Sequence, residues 1–410
     1  MSEDKQEGRS EHGKIAVVCG GGGLTGGMFE VGALRALDQA LGGGVLTTLD
    51  LYAGASAGAM VSTMLAAGLS PREMDEVIVR GTKNRRHLPP LKRGSIYGLD
   101  LGMWLWSGAK LPVSMGANLA ASMMPGDGLR PVDAMFDSLG SLPAGLFSNA
   151  PLADYVDSVL ETLGLPKTFE EFPKELMVTA VNLDSGHQVV FGAPGVRNIP
   201  IARAVQASAA LPLIFRPVRI NDQVFVDGGI ERNLPVDVAV KAGAGLVIAI
   251  NPMVPVVNDP RGGGSLMRGN RYLSERGLPA VMDQVFRMMV RSQVVSGLKQ
   301  MRDRYPEVDL ILLEPEAGDW TMFSYHPMRY SARHKIAKHA FEMTTSRLAR
   351  DSSQLERVFS KHGLDFDSSR LKKSESGSAR MATMKKVFRG LERLPGLRKL
   401  AVGDDEPTPF

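Results

Sequence analysis

Twice within its first 60 residues the chain drives a short apolar stretch straight into a cluster of glycines and then into a helix-patterned segment. Lys14 to Gly20 reads KIAVVCG, a β-branched run closed by glycine that fits a buried parallel strand. Gly20 to Gly27 is then expected as a turn. From Met28 to Leu41 apolar residues recur at spacings of three and four, so a helix follows, stopped by Gly42, Gly43 and Gly44. The second instance is a strand over Leu49 to Ala53, the string GASAG at 54–58, and a tightly packed helix of small and apolar residues from Ala57 to Ala67. Strands joined through helices in this way run parallel in one sheet.

The pattern persists. Ser70 is placed to cap a helix over PREMDEVIV. The segment LMVTAV, the DSG turn at 184–186 and HQVVFG predict a hairpin. A helix over IARAVQASAA, strands PVRIN and QVFVDGG, a helix starting at Leu234-Pro235, the strand GLVIAIN at 245–251, a helix over about 279–302 and the strand DLILLEP follow. The fold class expected is α/β: a mainly parallel sheet with helices on both faces. Residues 88–150 stand apart as an apolar insertion rich in Met, with Trp104 and Trp106, suited to an ordinary core or to a flexible wall around an apolar ligand. It is too interrupted by Pro112, Asn118 and small polar residues to read as a membrane span. Residues 258–271 read as a loop. The expected division is an unstructured 1–13, a main domain over 14–345, and a C-terminal extension over 346–410.

With 44% hydrophobic and 22% charged residues, fibrous and wholly disordered proteins are excluded. A single cysteine, Cys19, excludes an intramolecular disulfide framework, and no His or Cys spacing suggests a metal site. The polar N-terminus lacks the apolar core of a secretory signal, so a cytoplasmic location is expected. The net charge of +4 is unevenly spread: residues 371–400 hold nine Lys or Arg against two Asp or Glu, interleaved with Met381, Met384, Val387, Phe388, Leu391 and Leu394 at helical spacing. Such a segment either touches an anionic membrane surface or is a solvated extension. No nucleic-acid partner is expected.

Gly54-Ala55-Ser56-Ala57-Gly58 is a G-x-S-x-G string after a strand and before a helix, a context in which the glycines let the backbone turn sharply and expose the serine hydroxyl above a helix N-terminus. The alternative is a tight turn that Ser56 merely caps. Gly21-Gly22-Gly23-Leu24-Thr25-Gly26 also fits a dinucleotide fingerprint, but Asp50 opens the second strand, where that site needs an acid at its carboxyl end. Successive glycine amides at a helix N-terminus equally suit a developing oxyanion. Asp227, followed by Gly228 and Gly229, sits at a strand end, where it is either a base for Ser56 or a turn aspartate.

On GGGLTG at 21–26, GASAG at 54–58 and DGG at 227–229, supported by ASAALP at 207–212, the NLPVDVA run from Asn233 and LVIAINP at 246–252, the chain resembles the patatin-like phospholipase family over about 14–255, and more weakly to about 345. The resemblance implies hydrolysis of lipid acyl esters by a Ser-Asp dyad without histidine: Ser56 as nucleophile, Asp227 as its base, Gly21, Gly22 and Gly23 as the oxyanion loop, with Gly26, Gly54, Gly58, Gly228 and Gly229 supporting the motifs. No cofactor is implied, and the partner is an acyl lipid. Family members commonly carry Lys or Arg where Thr25 stands, which leaves a catalytically weak or inactive lipid-binding protein of the same fold as an alternative. A second alternative is an α/β-hydrolase triad completed by His326, which follows Asp227 in the order such triads require. His187, beside the DSG turn, reads as a surface hairpin residue.

Overall fold

The computed structural model describes residues 13–98, 144–258 and 272–371. Ten strands are present among them: β1 Lys14–Cys19, β2 Leu51–Ala55, β3 Gly145–Phe147, β4 Glu175–Asn182, β5 Gln188–Phe191, β6 Leu213–Phe215, β7 Val218–Ile220, β8 Gln223–Asp227, β9 Ala244–Ile250 and β10 Asp309–Leu313. Eight form one sheet in the order β10-β9-β1-β2-β4-β8-β7, with β5 also paired to β4; β3 and β6 pair separately. The β10-β9, β9-β1, β1-β2 and β2-β4 pairings are parallel, whereas β5 and β8 meet β4 antiparallel and β7 meets β8 antiparallel.

Burial explains why the central strands lack a polar face. In β1 every residue after Lys14 is buried, with Ile15, Val17 and Cys19 packed on one side and Ala16 and Val18 on the other, as the two-residue period of a strand dictates. The first side is covered by helices α1 (Gly23–Ala40), α2 (Ala57–Ala66), α3 (Ala150–Thr162) and α4 (Ile201–Ser208). The second is covered by the short helix Val236–Lys241 and by Val290 and Val294 of α5 (Leu278–Arg304).

Several boundaries differ from the sequence reading. Helix α1 begins at Gly23, so most of the expected glycine turn is helical. Pro252 lies against the space in which side chains at Gly22 and Gly26 would stand, so the first helical turn can lie flat beneath the loop after β9. Position 345 falls inside helix α6 (Arg333–Arg350), and no division occurs there. A side chain at Gly32 would land on the Ala337 carbonyl, so α1 and α6 approach backbone to backbone. Beyond α6, Leu355, Phe359, Leu364, Phe366 and Leu371 are buried in the same core as α1. The folded unit therefore continues to the last described residue. β3 and β6 were not foreseen. Of the expected insertion, Leu88, Leu91 and Ile96 are buried core residues, and 99–143 lie outside the described residues, as do 1–12, the bulk of the 258–271 loop and the basic segment past Leu371. No helix among the described residues is long and apolar enough to cross a membrane.

One feature of β4 decides what lies where. β2 and β5 both pair with Val178 and Thr179, so they occupy opposite edges of β4; β5 and β8 both pair with Ala180 and Val181, which places β8 on the edge that β2 uses. The two strands run toward each other along that edge, Ala55 opposite Thr179 and Asp227 opposite Ala180.

Candidate active site

Ser56 follows β2 and precedes α2 at φ 54° and ψ −125°, a conformation that residues with a side chain avoid. Its hydroxyl makes no capping bond to α2. It donates instead to Oδ2 of Asp227 at 2.6 Å. The Ser56 amide donates to Oγ of Ser208 at 2.8 Å, which pins the strained turn from the side of the ASAALP segment. The same segment receives the far strand end, since the Asp227 amide donates to the Ala210 carbonyl and the Gly228 amide to the Ser208 carbonyl.

Asp227 is 3% exposed and Ser56 8% exposed. The second carboxylate oxygen, Oδ1, accepts from the Gly229 amide at 2.8 Å, so Asp227 is both a turn residue and the partner of Ser56. Burial pushes its carboxyl up to about 6, against the opposing effect of the bonds from Ser56 and Gly229. At neutral pH this group is ionised yet far more basic than a solvated aspartate, as a proton acceptor must be.

The glycine loop lies across Ser56. A side chain at Gly21 would stand 2.6 Å from Asn233 Oδ1 and 3.0 Å from Ser56 Cβ, so only glycine fits. The Gly21 amide donates to the Asn233 carbonyl at 3.2 Å. The amides of Gly22 and Gly23 have no acceptor among the described residues, and they stand at the N-terminus of α1, where a negative charge is favoured. Gly26 lies in the first turns of α1, Gly54 in β2, Gly58 in the first turn of α2, and Gly228 and Gly229 at the start of the short helix Gly229–Arg232.

Two residues carry roles that motif reading did not assign. Ser208 holds the Ser56 amide. Asn233, 2% exposed, donates its Nδ2 to the Gly21 carbonyl at 3.1 Å and so ties the glycine loop to the DGG turn. Both lie in strings already singled out, but their roles depend on partners 152 and 212 positions away. Glu30 of α1 is fully buried, and burial raises its carboxyl well above the ordinary range.

Thr25, which stands where family members commonly carry Lys or Arg, is 1% exposed; its amide donates to the Pro327 carbonyl at 2.9 Å. His326 is exposed, and its Nδ1 accepts from the Met328 amide at 3.2 Å. Among the described residues no hydrogen bond joins it to Ser56 or Asp227. An apolar cavity opens on Ser56, lined by Met28, Met60, Ile96, Leu152, Phe215 and Met328 among others. The site thus combines a hydroxyl bonded to a buried carboxylate, amides at a helix N-terminus, and an apolar recess.

The patatin-like phospholipase family model matches residues 17–240. The chain belongs to that family. It is 27% identical over 103 residues to a probable lipid hydrolase, 463L, of Invertebrate iridescent virus 6, covering 24% of this chain and 36% of the relative. It is 23% identical over 237 residues to a cGAMP-activated phospholipase of Escherichia coli, covering 54% of each. The chain therefore spans about half or less of the length of these curated relatives. Among solved structures, VipD from Legionella pneumophila aligns at 14% identity and a TM-score of 0.35, over 82% of this chain and 66% of that one.

Proposed function

We propose that this protein is a serine hydrolase that cleaves acyl ester bonds of lipids through Ser56 and Asp227. The single observation that carries the reading is the 2.6 Å bond from the Ser56 hydroxyl to a buried carboxylate with no histidine between them. Ser56 Oγ attacks the acyl carbonyl carbon as its proton passes to Asp227 Oδ2. The carbonyl oxygen becomes an oxyanion, held by the amides of Gly22 and Gly23. Collapse of this intermediate expels the alcohol part of the lipid, which takes the proton from Asp227. Water then attacks the acyl-enzyme, giving a proton to Asp227 and an oxygen to the acyl carbon; the fatty acid leaves and the proton returns to Ser56. The apolar cavity beside Ser56 supplies a place for the acyl chain.

A phospholipase A, lysophospholipase or acylglycerol lipase would each use these steps. The basic segment over 371–400 adds affinity for an anionic bilayer in this reading. A fluorophosphonate probe, followed by peptide mapping, tests the nucleophile: covalent label on Ser56 is expected. Lipid binding without labelling or turnover would instead support a non-catalytic protein of this fold. Turnover measured on a panel of phospholipids, lysophospholipids and acylglycerols distinguishes the substrate classes.

A further inference from the structure

Asn149 stands at the N-terminal boundary of α3, where an asparagine side chain ordinarily accepts an amide from its own helix, and it makes no such bond. The Ala150 amide turns to Ser148 Oγ at 3.2 Å instead. The Asn149 side chain reaches across to α4. Its Nδ2 donates to the Gln206 carbonyl at 2.7 Å, and its Oδ1 accepts from Gln206 Nε2 at 3.3 Å. Both residues are buried. Gln206 Oε1 accepts in turn from Arg203 Nη1, and Arg203 Nη2 donates to the Arg219 carbonyl at 2.6 Å, so the far side of Gln206 is held as well.

The carbonyl that Asn149 meets is one that a helix end leaves without an intrahelical partner. The amide four residues on, at Ala210, donates to the Ala207 carbonyl and not to that of Gln206. Two residues past Gln206, Ser208 Oγ receives the Ser56 amide and the Ser208 carbonyl receives the Gly228 amide, while the Ala210 carbonyl receives the Asp227 amide. The stretch that holds both strand ends therefore begins at the point that Asn149 grips. Asn149 also lines the cavity that opens on Ser56, and these two are the lining residues whose side chains carry nitrogen or oxygen. Among the described residues no hydrogen bond joins Asn149 to Ser56 or Asp227, so any effect on that pair passes through α4.

We infer that Asn149 is a positioning residue: by satisfying the end of α4 it fixes the turn from Ser208 to Ala210 and so sets the alignment of Ser56 with Asp227, a role that rests on the lipid-hydrolase reading for its effect on turnover. The test uses the full chain. Asn149→Leu removes both bonds to Gln206 at similar volume, and Asn149→Ser removes them with a shorter side chain should leucine prevent folding. On a soluble short-chain ester either variant is expected to lower kcat about 10- to 100-fold, the scale of a small misplacement of reacting groups, with KM within about threefold of wild type. In a Ser208→Ala background the same substitution is expected to cost less than about threefold, because residues that act through one another are not additive. Hydrogen exchange, read by mass spectrometry on peptides spanning Ser56 and Asp227 to Gly228, is expected to quicken about tenfold or more in either variant, with β9 exchanging as in wild type. Unchanged kcat, an equal fall in both backgrounds, or a raised KM at unchanged kcat overturns the inference, as does unchanged exchange in those peptides. Exchange also separates the two readings: a wild-type chain with no ester turnover and no probe label on Ser56 would remove the hydrolase reading, and the exchange rates would still decide whether Asn149 holds the two turns.

Discussion

Ser56 and Asp227 are 171 residues apart in the chain and 2.6 Å apart at their side-chain oxygens, because the strands that carry them run head-on along one edge of β4. Neither strand passes the other, so each ends in a turn and each turn presents one polar side chain to the gap. The loop at Ser208 to Ala210 accepts amides from both turns and holds the gap at hydrogen-bond width. This geometry leads to separate expectations for Ser56, Asp227, the glycine loop and the C-terminal helices.

Replacing Ser56 by Ala is expected to lower kcat on a short-chain ester by several orders of magnitude, leaving only binding and oxyanion effects. Ser56→Gly should be equally inactive, its relief of the positive-φ backbone offset by the loss of the donor to the buried Asp227. Near-normal turnover by either variant would remove Ser56 from the reaction.

For Asp227 the pH sign can be worked out. Its carboxyl lies at about 6 in the folded chain, above its ordinary value, so the neutral form is the one that folding favours. The stability it contributes is therefore fully present at low pH and is lost as pH rises through about 6. Activity runs the other way, since the base must be ionised; kcat/KM is expected to fall with an acid limb near 6. Asp227→Asn should be inactive at all pH values, and the loss of stability of up to about 3 kcal/mol between acid and neutral pH should be absent from its denaturation curves. His326→Ala, by contrast, should keep most of the activity.

The glycine loop gives a prediction about kcat without loss of fold. Gly21→Ala puts a methyl against Asn233 Oδ1 and Ser56 Cβ, displacing the loop from the nucleophile. Its kcat is expected to fall by about 100-fold or more, the scale of losing an oxyanion donor. Asn233→Ala leaves the Gly21 carbonyl without its donor and should lower both stability, by about 1 to 3 kcal/mol, and kcat. Circular dichroism alongside ester turnover separates the two effects.

A chain ending at residue 345 should not fold. It cuts α6 and removes Leu348, Leu355, Phe359, Leu364, Phe366 and Leu371 from the core. Each such side chain contributes about 1.5 to 3 kcal/mol by burial, so together they rival the whole stability of a typical domain. A cooperative unfolding transition for that truncated chain would show the C-terminal helices to be dispensable.

Ser56 and Asp227 could be singled out in the sequence because glycines betray tight turns wherever they fall, and an isolated serine or aspartate among them is conspicuous. The alternation of strands and helices was legible for a related reason: buried parallel strands are apolar throughout, and helices repeat at three and four. What those local signals lack is any record of distance. Whether Asp227 bonds Ser56 or only its own turn depends on which edge of β4 its strand joins, and it does both. The exposure of Leu213 and Leu146 and the positive φ of Leu213 have no signal in the sequence. The roles of Ser208 and Asn233, the start of α1 at Gly23 and the continuation of the core to Leu371 likewise come from contacts between distant segments. Periodicity and glycine placement are properties of neighbours in the chain; pairing, burial and charge environment are properties of neighbours in space, and the latter exist only once the sheet has closed.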